Sequence, residues 1–162
     1  MNWIANDEII IFNYTFNEEL DIELISSYTK IIFSDKELTE ESNEILNDKL
    51  NKKIFENYFK IFINSPYKGS EFNKDVSVLS NSLTHLTFGA KFNRDVSALP
   101  SKLTHLSFGV KFNKDVSELP HSLTCLAFGH QFNQDVSNLP YGLTHLTFGF
   151  DFNKDVSNLP PS

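Results

Sequence analysis

The sequence predicts an α/β solenoid: twenty-residue coils without full convex helices stacked on a parallel β-sheet, behind an α+β N-terminal cap. Three observations carry that reading. "LTHLTFGAKFNRDVSALP", from Leu83 to Pro100, returns almost unchanged from Leu103, Leu123 and Leu143. The period is twenty residues without a slip, with glycine at Gly69, Gly89, Gly109, Gly129 and Gly149. Each unit holds six apolar positions, Leu83, Leu86, Phe88, Phe92, Val96 and Leu99 in the first full copy. These are too few to offset the ordering of twenty residues, so a unit folds only by burying its flat faces on its neighbours. A strict period without insertions marks such an array.

Within a unit, "LxxLxF" is a strand pattern of the leucine-rich-repeat kind. Alternation along the strand points Leu86 and Phe88 inward and His85 and Thr87 outward. The glycine that follows permits a tight bend. "FN" then returns Phe92 to the core, with Asn93 free to bond loop backbone of its own and adjacent coils. Twenty residues leave no room for a helix on the return side, so "RDVSALP" runs as extended or 3₁₀-like chain, and Pro100 fixes the turn. The structural repeat residues are therefore Phe88, Gly89, Phe92 and Asn93, then Phe108, Gly109, Phe112 and Asn113, then Phe128, Gly129, Phe132 and Asn133, and last Phe148, Gly149, Phe152 and Asn153.

Two regions follow. Residues 1–65 hold all the excess acidity, thirteen Asp and Glu against six Lys, whereas the remaining residues balance at eight and eight. Neither an acidic leader nor a neutral array suits a phosphate backbone, and no nucleic-acid partner is expected. In the leader, strands are expected around Ile9 to Phe16 and Ile31 to Phe33. A helix is expected from the N-cap Thr39, with Ile45, Leu46, Leu50, Ile54 and Phe55 on its apolar face. Such an element is the expected cover of a solenoid end. Residues 66–162 form the solenoid, with a degenerate first coil at 66–80 that carries Lys68 where Phe belongs, and full coils from 81.

The chain has no apolar stretch of membrane-helix length and no basic segment ahead of its first apolar run. A single cysteine, Cys125, excludes an internal disulfide and fits a reducing compartment. An intracellular, cytoplasmic protein without membrane attachment is expected. The array ends in "LPPS", with Leu146, Phe148, Phe152, Val156 and Leu159 lacking a following cover, and from this a homodimer or larger assembly is expected.

Two columns resemble ligand sets. His85, His105, Cys125 and His145 form one outward row, but a straight row does not converge tetrahedrally on zinc. Asp75, Asp95, Asp115, Asp135 and Asp155 form another, each beside Lys, Arg or Gln and able to bond its own turn. Neither predicts a metal site, and no cofactor is expected. No phosphate cradle, activated nucleophile or acid and base pair is present, so no enzyme is expected. The positions that vary within the fixed frame are Ala90, Val110, His130 and Phe150, with Lys91, Lys111, Gln131 and Asp151 beside them. With His85, Thr87, His105, Ser107, Cys125, His145 and Thr147 they make a candidate interaction face for a protein partner.

"FGxxFN" with "LPxxLTHL", as in Phe88 to Asn93 and Pro100 to Leu106, resembles the FNIP or FGxxFN family of short leucine-rich repeats of social amoebae and large DNA viruses. The resemblance covers Tyr67 to Ser162. It implies a leucine-rich-repeat solenoid used in protein binding, in the host cytoplasm where the source is a virus. Here the period is shorter than the family's usual one, and "KDVS" or "RDVS" replaces its Ile-Pro turn. Relatives with an F-box before the repeats imply an alternative role as a ubiquitin-ligase adaptor, although "NDEIII" only faintly echoes the "LPxE" opening. "FNQDVSNLP" is similar to the "FNQDIS" repeats of bacterial surface proteins, which lack "LTHLTFG".

Overall fold

In a computed structural model, which describes residues 2–35 and 69–159, the chain builds one seven-stranded sheet in sequence order. Its strands are β1 (Trp3–Ala5), β2 (Ile9–Phe12), β3 (Lys30–Phe33), β4 (His85–Thr87), β5 (His105–Ser107), β6 (Cys125–Ala127) and β7 (His145–Thr147). β1 runs antiparallel to β2, and all later pairs are parallel. The only helix among the described residues is α1 (Ile22–Ile25), capped by Asp21, whose carboxylate accepts from the N–H groups of Glu23 and Leu24. Among the described residues the architecture is a parallel β-solenoid with almost no helix. The helix expected from Thr39 falls outside the described residues.

Both strands expected in the leader are present, the first ending at Phe12 and not at Phe16, and they are members of the array's own sheet. Ile10, Ile31 and Leu86 are in register, as are Ile11, Ile32 and Thr87. The spacing Ile10, Phe12, Phe16, Asn17 and Leu20 is that of Leu86, Phe88, Phe92, Asn93 and Val96. "FNYTFN" is thus a coil with Asn13 in the glycine slot. The coil led by β3 is split: its strand ring is Phe33 and its "FN" is Phe72 and Asn73. Their rings stack at 3.8 Å, against 3.7 Å for Phe88 on Phe92. The ring missing at position 68 is therefore supplied by Phe33.

Phenylalanine fills the core in two columns. Strand rings follow one another at 5.6 Å, as Phe88, Phe108 and Phe128 do, and the "FN" rings Phe92, Phe112 and Phe132 at 6.2 and 6.1 Å. Offset stacks at such distances add to the area they bury. An asparagine ladder holds the corner beside them. Asn17 Oδ1 accepts from Asn73 N–H, Asn73 from Asn93, and so on through Asn113 and Asn133 to Asn153. Each amide thereby satisfies a backbone donor of the next coil.

At the split coil the described residues end at Asp35 and resume at Gly69. Asp35 is buried, and its Oδ1 accepts from the N–H groups of Ser70 and Ala90. Burial raises its carboxyl above the ordinary 3.8, opposed by those two bonds. Asp35→Ala is expected to cost about 2–4 kcal/mol, because two buried donors lose their acceptor. Asp35→Asn keeps an acceptor oxygen and removes a buried charge, so it should stay within about 1 kcal/mol of the parent. The sign with pH follows from linkage. A raised folded-state pKa means that stability falls as pH rises from 3.8 through that value, and the asparagine variant lacks this slope. Urea denaturation of the three proteins across acid pH measures it.

Candidate functional site

The outward side of the sheet is made of two rows. In the first, Lys30, His85, His105, Cys125 and His145 stand in register. The His85 and His105 rings stack at 4.1 Å. A threonine precedes each histidine and fixes it. Thr84, Thr104 and Thr144 donate their hydroxyls to the carbonyls of Thr29, Thr84 and Thr124, and each meets the Nδ1 of the adjoining histidine at 2.8–3.0 Å. With its proton on the carbonyl, the hydroxyl accepts from the ring, so the neutral imidazole is protonated on Nδ1. The sequence reading gives these threonines no role. Their fixed place in "LTHL" was the available signal.

In the second row the candidate contact residues Thr87 and Ser107 are buried, 3% and 2% exposed, and so is Ala127. They cannot serve as the open contact surface that strand alternation suggested. Each is a small side chain in a strand with neighbours on both sides, Ile32 and Ser107 in the case of Thr87. Thr147, on the strand with one partner, is exposed. Ile4, Ile9, Ile11 and Ile32 form a second apolar cluster apart from the main core. Of the other candidates, His85, His105 and Cys125 are half-buried, and His145, His130 and Phe150 are exposed.

Burial, then the charges of His105 and Lys30, pull the pKa of His85 from 6.5 to about 4, with Glu8 opposing. Glu8 is paired with Lys30 at 2.9 Å. His105 is lowered by burial, then by His145 and Lys30. A depressed histidine is neutral in the fold, so its contribution is intact above 6.5 and is lost as pH falls from 6.5 toward 4. The melting temperature should therefore drop over that interval, and His85→Gln should flatten the drop. An unchanged profile in the variant counts against the stack as its source.

The aspartate column is consumed within its own turns. Asp75, Asp95, Asp115, Asp135 and Asp155 each accept from the N–H and the hydroxyl of the serine two residues on. The Ser77 and Ser97 hydroxyls hold Asp75 and Asp95 below the usual carboxylate range. Among the described residues no group of three or more His, Cys, Asp or Glu is placed to hold a metal ion. An open groove of about 340 Å³ lies by Leu99 and Pro120, rimmed by Glu118 and His121. No helix among the described residues is long and apolar enough to cross a membrane.

The variable dipeptides occupy the corner between strand and "FN". Their backbone is fixed: Lys111, Gln131 and Asp151 donate N–H to the carbonyls of Ala90, Val110 and His130, each at 2.9 Å. Of their side chains Lys111, His130, Gln131, Phe150 and Asp151 are exposed and Ala90, Lys91 and Val110 half-buried, and Phe150 is 89% exposed.

Residues 72–111, 95–129 and 112–151 match the family described as FNIP Repeat. Among solved structures, the chain is similar to that of CroV588, described as a novel circular LRR protein, at 33% identity and a TM-score of 0.48. The match covers 97% of this chain and 26% of that one, so the chain spans about a quarter of the protein it resembles. No curated protein matches it.

Proposed function

The chain carries FNIP repeats over residues 72–151, and from that premise we infer that it is a non-catalytic protein-interaction module. One observation carries the inference: a frame repeated from coil to coil holds exposed side chains that differ from coil to coil, His130 and Phe150 among them. A rigid scaffold with variable displayed positions suits recognition of a protein surface. The adaptor alternative needs a helical F-box in the leader, whereas residues 3–5, 9–12 and 30–33 are strands of the common sheet; this favours the simpler module.

Proximity labelling from the full chain in its source cell tests the inference, with a frame-broken Phe112→Ala chain beside it. Neighbours that depend on the intact frame support it, and identical neighbours for both chains overturn it. Self-association belongs to the same inference. Leu146, Phe148 and Phe152 are half-buried in the β7 coil and Val156 is 49% exposed. A light-scattering mass of the monomer alone removes that part.

A further inference from the structure

We propose that the strand-to-"FN" corner, and not the strand face, is the docking surface, and that its occupant is an extended peptide segment of a partner protein with an acidic and a large apolar residue three positions apart. This rests on the interaction-module reading and names its surface and ligand chemistry.

The strand face has little left to offer a partner. Thr87 and Ser107 are buried, the hydroxyls of Thr84, Thr104 and Thr144 bond carbonyls of the preceding coil, and the histidine Nδ1 atoms are held by those hydroxyls. Its residues also hardly change from coil to coil. At the corner the opposite holds. The carbonyl-to-N–H ladder fixes the backbone, so Ala90, Val110, His130 and Phe150 can differ at no cost to the frame. The corner therefore carries variable content, as the return-side positions of Ala98, Glu118 and Asn138 and of Ser101, His121 and Tyr141 also do, but only the corner sets an exposed cation and an exposed ring on a ladder-bonded backbone.

Its chemistry is polarised. Lys111 is exposed toward one end, Lys91 beside it bonds Glu71, and Asp151 lies at the other end next to Phe150. An aromatic ring 89% exposed on a fixed backbone is the kind of side chain that anchors an interface. Lys111 and Phe150 lie two coils apart. At about 4.8 Å per coil that is roughly 10 Å, the length of three residues of extended peptide at about 3.3 Å each. An acidic residue opposite Lys111 then places an apolar one at Phe150, with the peptide running across the coils.

A random peptide library displayed on phage and selected against the full chain tests this. Selected peptides should carry Asp or Glu three positions from Leu, Phe, Trp or Met. Phe150→Ser and Lys111→Glu should each weaken their binding by about tenfold or more, the loss of one good anchor. His105→Ala and His145→Ala should leave it unchanged, and unaltered melting of the two corner variants shows that they fold. Peptides whose binding depends on His105 or His145 instead overturn the corner and spare the interaction module. Peptides without that spacing, or binding that survives both corner variants, also overturn the corner. A chain from which no binder can be selected overturns both readings.

Discussion

Gly109→Ala is expected to destabilise the array by at least about 3 kcal/mol, more than a methyl group costs in most overpacked sites. A Cβ at that position would lie 2.2 Å from the carbonyl oxygen of Gly89, 2.3 Å from its carbon and 2.7 Å from the Cα of Ala90. All three atoms are backbone, so no side chain can turn aside, and the coils must part. Parting them strains the carbonyl-to-N–H ladder and both phenylalanine columns together. Gly142→Ala is the matched control. Its nearest neighbours would be carbonyl oxygens at 3.5 and 3.7 Å, which is ordinary contact. It should be neutral, or slightly stabilising through the unfolded chain. Equal midpoints for the two variants in urea would show that the coils are not in backbone contact at the glycine column.

Phe112→Ala is expected to cost about 3–5 kcal/mol. The ring is fully buried, stacks on Phe108 at 3.7 Å, and has Phe92 and Phe132 above and below it. Removing it opens a gap in the "FN" column at the middle of the array and leaves Phe108 without its stacking partner. Because each coil touches only its neighbours, the parts on either side should lose cooperativity, seen as a broadened or split transition. Thr104→Ala sets the scale for a polar contact. Thr84 O keeps bonds from the N–H groups of Thr104 and His105, so about 1 kcal/mol should be lost. Comparable small effects of the two changes would show that the "FN" rings are not the core.

The full coils were legible because each residue that packs is repeated at a fixed interval, and the spacing of Phe88 and Phe92 already implies their contact. The split coil was not. Phe33 and Phe72 stack at 3.8 Å, within 0.1 Å of the repeated pairs, yet they are 39 positions apart in the sequence, and no periodicity joins them. The β2 coil was hidden differently. "FNYTFN" keeps the ring spacing but has Asn13 where glycine is the visible marker. Strand alternation placed Thr87 and Ser107 on the outward side, but direction does not determine exposure. Asp35 could not be found from sequence, since its partners are Ser70, 35 positions on in its own split coil, and Ala90 of the next coil. The corner positions were legible as variable residues, and only the bonds between successive coils reveal that their backbone is fixed.

The asparagine and threonine ladders join each residue to its own counterpart twenty positions on. Excising residues 103–122 would bring Asn133 onto Asn93 and Thr124 onto Thr84, like onto like, with no donor or acceptor stranded. Gain or loss of twenty codons in frame is therefore nearly silent for the fold, while it moves Phe150 one coil nearer to or farther from its neighbours along the corner. Array length is thus a heritable ruler: replication slippage can reset the spacing between displayed groups in a single event, without passing through an unfolded intermediate sequence.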